Sequence, residues 1–371
     1  MVKTLATLGD SITEMGVDAT HLYKTALCYA AYAEMYSNGA VVFDPALEFG
    51  VSSERIDQIA LRVGSVVTAA PDFCLVLAGM NDFLQDTTST ALALADAVKE
   101  DIVDVLEAAS IKVIIAGCPP ANDISDLQNQ KRLEFNRILS TRHNYAAGAE
   151  QMEVASYPQV ELAGYSYDGT HPDANGHELY GRGYAAKILE LADTDTTPLA
   201  KLDALAVTGT GGGLSGGATG SPPAGWTLSG SGIVANGNVL SGRVASGSTV
   251  QMYSGLVELS ALGGGLVPTD EIMAEFDVEW VQENLERIRF DIAFYTAANA
   301  GISVLDFTFG NYGFEQNFPK VGYGKVRVGP CEIPATAAKC ALFINFIGPA
   351  AGTSKMEHFE LKGVAIKSRD A

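Results

Sequence analysis

Residues 4–13, TLATLGDSIT, decide how the first half of the chain is read. An apolar run of strand character stops at Gly9-Asp10-Ser11, and two readings of Ser11 are open. Ser and Asp ahead of a helix accept hydrogen bonds from its unpaired N–H groups, so Ser11 can be a cap. In a parallel α/β sheet, however, ligands bind beyond the carboxyl ends of the strands, and Ser11 falls at such an end. A lone Gly-Asp-Ser favours the cap. The residues at the other strand ends must decide.

Working outward, residues 1–192 alternate short apolar runs with longer helical patterns. Strands are expected at 2–8, 39–43, 73–78 and 112–116, with a weaker one at 152–155. Helices are expected in HLYKTALCYAAYAEMYS (21–37), ERIDQIALRVGSVV (54–67), TALALADAVKEDIVDVLEAA (90–109), DLQNQKRLEFNRILSTRHNYA (126–146) and 172–192. In the third, Leu92, Ala95, Val98, Ile102, Val105 and Leu106 form one apolar stripe. Continuous apolar strands between amphipathic helices imply a parallel sheet covered on both faces.

The composition then changes. TGTGGGLSGGATGSPPAGW (208–226) holds seven glycines within 209–220 and two adjacent prolines. Such a stretch cannot bury apolar surface and reads as a linker. Beyond it the runs are short and alternate: NVLSGRV, STVQMYSGLVEL, IMAEFDVEWV, RIRFDIAFYT, KVRVGPCEI, CALFINFIG and HFELKGVAI. Short alternating strands with Gly-rich turns describe an antiparallel β-sandwich. The division expected is 1–195, a linker at 196–224, and 225–371.

Of the net charge of -20, residues 1–200 carry -16 and residues 201–371 carry -4. An acidic surface repels phosphate backbones and anionic membranes, so nucleic acid is not an expected partner. The five cysteines, at 28, 74, 118, 331 and 340, are not spaced as a disulfide framework. Cys74 and Cys118 read as buried thiols, and a Cys331–Cys340 pair is the one conceivable bridge. No apolar run reaches the length of a membrane span. The start MVKTLATLGD lacks a signal peptide's long apolar stretch, so a cytoplasmic or virion-associated protein is expected.

Two further strand ends carry chemistry. LVLAGMNDF (75–83) places Gly79, Asn81 and Asp82 directly after a buried strand, and YDGTHPDANGHELYG (167–181) places Asp168 three residues before His171. A serine needs a base to become nucleophilic at neutral pH, and imidazole suits. The imidazole needs an acceptor that fixes its tautomer, which Asp168 can supply. A developing oxyanion needs donors, and the Asn81 amide can be one. Asp10 reads as support for the turn around Ser11, and Asp82 as an anchor for its own loop.

The blocks GDSIT, GMND and DGTH resemble, in order and near spacing, those of the SGNH (GDSL) hydrolase family, over residues 1–192. The resemblance implies a flavodoxin-like three-layer α/β fold and a serine esterase needing no cofactor. It further implies Ser11 as nucleophile, His171 as base and acid, Asp168 as orienting carboxylate, and an oxyanion hole of Ser11 N–H and the Asn81 amide. One block departs. The family usually carries N-x-G-x-S-G, whose last glycine donates its N–H, whereas this chain reads EFGVSSERIDQI (48–59). Gly50 keeps the earlier glycine and Ser53 stands at the last, a third donor only if it can adopt the needed backbone angles.

Asp168, His171, Asp173 and His177 also resemble a metal cluster, but Pro172 breaks the run and no metal-ligand spacing accompanies them, so no metal is expected. His177 reads as a helix-face residue. In the second half most aromatics read as sandwich core; Tyr312, Phe314 and Tyr323, in Gly-rich segments, are the candidates for stacking on sugar rings. The sandwich resembles carbohydrate-binding modules and jelly rolls in pattern only. Together these suggest an esterase removing small acyl groups, chiefly acetyl, from a polysaccharide. The alternatives are a lipase or lysophospholipase, and an adhesive glycan-binding protein. The Gly-rich linker resembles segments of tailed-phage fibres and tailspikes, in which case a homotrimer is expected.

Overall fold

The computed structural model describes residues 3–18, 23–25, 27–37, 40–85, 88–150, 152, 165–166, 168–192, 201–202, 222, 225–236, 239–262, 266–283, 285–310, 321–349, 352 and 354–368. The chain divides into two compact units, Val2–Thr196 and Thr197–Tyr312 with Phe318–Ala371.

In the first unit β1 (Lys3–Gly9) runs into α1 (Ser11–Glu14), and the short strands β2 (Val17–Asp18) and β3 (Tyr23–Lys24) precede α2 (Tyr29–Tyr36). Then come β4 (Val41–Gly50), α3 (Ile56–Ala60), α4 (Val63–Ala69), β5 (Phe73–Leu77), α5 (Met80–Gln85) and α6 (Ala91–Ala97). A π-helical turn (Val98–Val103) joins α6 to α7 (Asp104–Ala108), followed by β6 (Lys112–Ala116), α8 (Asp126–Arg142), β7 (Tyr145–Ala146) and α9 (Ala174–Leu191). The sheet runs β4-β1-β5-β6-β7, every pair parallel. All of β5 and nearly all of β6 are buried, as strands covered by helices on both faces must be. The order is that of a flavodoxin-like doubly wound sheet, whose switch point lies between β1 and β5.

Three expectations are corrected. The helix expected at 21–37 begins only at Tyr29, because Lys24 turns inward to an ion pair with buried Glu34 at 2.7 Å, and β2–β3 occupies the preceding residues. The fifth strand is Tyr145–Ala146, not 152–155; Met152 lies in a helical turn and 153–155 fall outside the described residues. The stripe on 90–109 is corrected at two positions, with Ala95, Val98, Ile102 and Leu106 buried as expected. Leu92 and Val105 are exposed, while Leu94 and Val103 are buried.

In the second unit β8 (Lys201–Leu202), β9 (Trp226–Ser229), β10 (Ile233–Asn236), β11 (Val239–Gly242), β12 (Thr249–Ser254) and β13 (Val257–Glu258) come first. The long strands β14 (Glu271–Glu283), β15 (Arg287–Tyr295), β16 (Gly301–Gly310), β17 (Val321–Glu332), β18 (Lys339–Ile347) and β19 (Lys355–Ser368) follow. Two antiparallel sheets form, β10-β11-β19-β14-β17 with β8 on β19, and β16-β15-β18-β12-β9 with β13 on β18. Aromatic rings bridge them: Phe276 of β14 lies 5.1 Å from Phe290 of β15, and Phe359 of β19 lies 4.9 Å from Phe346 of β18. This is a β-sandwich. Strand β16 had no counterpart among the expected strands, and β8 joins a sheet from inside the stretch 196–224 read as linker. All five cysteines are free thiols, Cys331 and Cys340 included. No described helix is long and apolar enough to cross a membrane.

Candidate active site

Asp10, not Ser11, is the cap of α1: its Oδ1 accepts the Ile12 N–H at 3.0 Å. The Ser11 hydroxyl is thereby left free to face across the sheet edge. Gly9 ends β1 because a Cβ there would strike the Leu77 carbonyl and the Thr13 hydroxyl, so the chain can turn tightly into α1 only with glycine.

His171 reaches this edge from the loop ahead of α9. Asp173 caps α9 by accepting the Asn175 and Gly176 N–H groups at 2.9 and 3.0 Å. The loop is closed by a bridge between Ser166 and Pro172, with Ser166 Oγ donating to the His171 carbonyl at 2.7 Å. Gly169 turns it at a φ of 89°. The imidazole Nε2 then lies 2.9 Å from Ser11 Oγ, and Nδ1 lies 2.6 Å from Asp168 Oδ2. The other oxygen, Asp168 Oδ1, accepts the N–H groups of Thr170 at 2.9 Å and His171 at 2.7 Å. Partial burial works against ionisation of Asp168, but these bonds and the imidazole outweigh it and hold the carboxyl below its usual range. An ionised acceptor at Nδ1 favours the Nδ1–H tautomer, which leaves Nε2 able to accept a proton from Ser11.

Asn81 and Asp82 stand in the first turn of α5. The buried Asn81 amide donates to the Glu54 carbonyl at 3.0 Å and reaches Asp10 Oδ2 at 3.4 Å. Asp82 accepts the Ile56 N–H at 3.0 Å, so it anchors the start of α3 on the neighbouring loop and not its own turn. Gly79, at a φ of 114°, brings β5 into α5 against Phe135 and Cys118. Gly50 is equally constrained: a Cβ there would lie 2.7 Å from Glu14 Cα, so α1 and the end of β4 can meet only at glycine.

Ser53 adopts a φ of 67°, the left-handed region that glycine occupies freely. For serine this costs about 1–2 kcal/mol. From Val51 to Ile56 every other N–H is engaged: Val51 with the Gly9 carbonyl, Ser52 with Glu14, Glu54 with the Val51 carbonyl, Arg55 with Gln58 and Ile56 with Asp82. Among the described residues, the Ser53 N–H has no acceptor.

These groups border one cleft of about 360 Å³. Ile12, Met80 and Leu84 give it an apolar side, and Asp123, Asp168 and Thr170 a polar one. Thr170 donates to Asp123 Oδ2 at 2.8 Å. Beneath the cleft, burial raises the Asp10 carboxyl to about 7 and that of Asp82 to about 6, each against a hydrogen bond from a backbone N–H. Glu48, half-buried beside Gly50 and facing Glu14, is raised to about 7, mainly by desolvation.

The four residues weighed as a metal cluster at 168–177 take different roles, Asp168 and His171 in the relay. Asp173 is a helix cap, and His177 is fully buried, stacked on Tyr29 at 6.0 Å, with burial lowering its imidazole to about 3. Of the expected sugar-stacking residues, Tyr312 and Phe314 lie outside the described residues, as does the side chain of Tyr323. The sequence reading missed Glu14, Ser52, Gln85 and Asp123. Their partners lie 38, 32 and 47 residues away for Glu14–Ser52, Ser53–Gln85 and Asp123–Thr170, so no local spacing marks them.

Residues 7–179 match the model of the GDSL-like Lipase/Acylhydrolase family. Among solved structures, the chain is similar to Axe2, an acetylxylan esterase from Geobacillus stearothermophilus, at 15% identity and a TM-score of 0.41, covering 50% of this chain and 94% of that one. It is also similar to an acylhydrolase of Bacteroides fragilis (20% identity, TM-score 0.40, 52% and 88% covered). A third is a GDSL-like lipase from Bacteroides thetaiotaomicron (18% identity, TM-score 0.38, 51% and 88% covered). Among curated proteins, none matches.

Proposed function

We propose that the first unit is a serine ester hydrolase that removes small acyl groups, chiefly acetyl, from a polyhydroxylated carrier such as a polysaccharide. The observation that carries the reading is the relay Ser11 Oγ–His171 Nε2 at 2.9 Å and His171 Nδ1–Asp168 Oδ2 at 2.6 Å, opening on a cleft. The family match over residues 7–179 supports ester hydrolysis as the reaction class.

In this mechanism Ser11 Oγ attacks the acyl carbon while its proton passes to His171 Nε2. Negative charge gathers on the former carbonyl oxygen. The free N–H of Ser53, the N–H of Ser11 and the second N–H of Asn81, held only at 3.4 Å by Asp10, are the donors it would meet. His171 then gives its proton to the departing alcohol oxygen as the carbon–oxygen bond breaks, leaving acyl-Ser11. Water repeats the sequence: His171 takes its proton, its oxygen attacks the acyl carbon, and the proton returns to Ser11 Oγ as the acid leaves. Asp168 stays ionised throughout and steadies the imidazolium.

The preference for a short acyl group follows from the cleft, whose apolar side is limited to Ile12, Met80 and Leu84 among the described residues. The polar side suits a hydroxyl-rich alcohol, and no described lysine or arginine lines the cleft to receive an anionic one. Hydrolysis of p-nitrophenyl esters from acetate to octanoate, with Ser11→Ala alongside, tests this. Turnover that peaks at acetate and is lost in Ser11→Ala is expected. A maximum at octanoate would move the reading to lipid substrates, and turnover unchanged in Ser11→Ala would refute it.

A further inference from the structure

The peptide between Ser52 and Ser53 carries the one unengaged N–H of the 51–56 run, and it is gripped from both sides. On its near side, Glu14 Oε2 accepts both the Ser52 N–H, at 2.9 Å, and the Ser52 hydroxyl. On its far side, Gln85 Nε2 donates to the Ser53 carbonyl at 2.9 Å. The same Gln85 amide lies 3.4 Å from Asn81 Oδ1, one helical turn earlier on α5, while its Oε1 lies 3.5 Å from Arg55. Glu14 belongs to α1, the four-residue helix that begins with Ser11.

We infer that Glu14 and Gln85 are positioning residues: together they hold the Ser52–Ser53 peptide so that its N–H, with the Asn81 amide, faces the oxyanion. The inference rests on the esterase reading above. The physical reason is the left-handed φ of Ser53, which a non-glycine residue leaves readily. Relaxing that φ together with its neighbours turns the 51–52 and 53–54 peptides and carries the Ser53 N–H away from the developing negative charge. Glu14 holds the first of those units through the Ser52 N–H, and Gln85 holds the second through the Ser53 carbonyl, so the strained φ keeps its value and the N–H its place. Glu14 also ties this donor to the helix that carries the nucleophile, so the two keep their spacing. The devices take over a task that glycine, at home in this region, performs without help.

The test is steady-state hydrolysis of p-nitrophenyl acetate by the full chain. Glu14→Ala and Gln85→Met should each lower kcat about tenfold with KM within about twofold, less than the 10²–10³ lost with a whole donor. Glu14→Gln, which retains an acceptor oxygen, should recover to within about threefold of wild type. In a Ser53→Gly background, where the left-handed φ is no longer strained, the loss from Glu14→Ala should shrink to below about threefold. Unchanged kcat in both single variants would overturn the inference. So would a tenfold loss that Glu14→Gln does not recover, or that persists in Ser53→Gly. Ser11-dependent turnover insensitive to Glu14 and Gln85 removes the clamp alone, whereas a wild type without Ser11-dependent turnover removes the esterase reading and the clamp with it.

Discussion

Replacing Asp168 by asparagine changes one atom of the relay, and the geometry dictates the outcome. Asp168 Oδ1 accepts two backbone N–H groups, from Thr170 at 2.9 Å and His171 at 2.7 Å, while Oδ2 faces His171 Nδ1 at 2.6 Å. The substituted amide has one oxygen for these two places. With its NH₂ toward the backbone, two N–H donors would meet a donor, at roughly 1–3 kcal/mol for each bond broken and left unmade. With its oxygen toward the backbone, both bonds survive and only the NH₂ faces His171 Nδ1. The second arrangement wins, so Nδ1 must become the acceptor and Nε2 must carry the proton. A protonated Nε2 cannot take the Ser11 proton. The expected loss is that of a wrong-tautomer relay, about 10⁴-fold in kcat, or roughly 5 kcal/mol of transition-state stabilisation. Thermal melting should stay within a few degrees of wild type, since the loop keeps its hydrogen bonds. Asp168→Asn retaining more than a tenth of wild-type kcat on p-nitrophenyl acetate would refute both the relay and the tautomer argument.

Gly50→Ala adds one methyl far from any proton transfer, yet that carbon would lie 2.7 Å from Glu14 Cα. The backbone of α1 must yield, so a destabilisation of about 1–3 kcal/mol in urea unfolding and a disproportionate loss of activity through a displaced Ser11 are expected; wild-type turnover would show that β4 and α1 are not rigidly apposed. The acidic groups beneath the cleft predict an unusual pH dependence. Asp10 and Glu48 are raised to about 7 and Asp82 to about 6, far above their unfolded values. Between about pH 4 and 7 the native state therefore binds more protons than the unfolded one. Their contribution to stability is complete at low pH and is lost as pH rises through these values, with a slope of up to about 1.4 kcal/mol per pH unit for each group. Denaturation at about pH 5 and about pH 8 should show this decline, and Asp10→Asn, whose amide oxygen can still accept the Ile12 N–H, should flatten it. Parallel profiles for the variant and wild type would contradict the assignment to Asp10.

The raised carboxyls bear on the site's design. Asp10 lies under Ser11, caps its helix and sits within the field of His171. It is buried, and desolvation raises its carboxyl. Asp168, on the opposite side of the imidazole, is the more exposed carboxyl and stays ionised through its N–H donors. Two carboxyls near one histidine are thus driven apart in proton affinity by burial against hydrogen bonding, which leaves a single anion to orient the ring.

The order of apolar strands and amphipathic helices in residues 1–192 determined the parallel sheet, because fully covered strands must read as continuous apolar runs. The positions of Ser11 and Asn81 just past strand ends were legible for the same reason, since the fold gathers strand ends along one edge, and Asp168 and His171 were legible from their three-residue spacing just before the last helix. Alternation in the second half determined the sandwich, though not β16 or the early pairing of Lys201–Leu202. What only the tertiary structure decided were features set by contacts between distant segments. Lys24 and Glu34 ended a helix before it could begin. Most of all, whether Ser53 could stand in for glycine was undecidable locally. Its left-handed backbone is opposed by its own side chain, and it is Glu14, 39 residues before it, and Gln85, 32 residues after it, that surround the peptide with partners. Periodicity reports which face of an element is buried, but the geometry of a donor depends on hydrogen bonds between elements, which leave no period in the sequence.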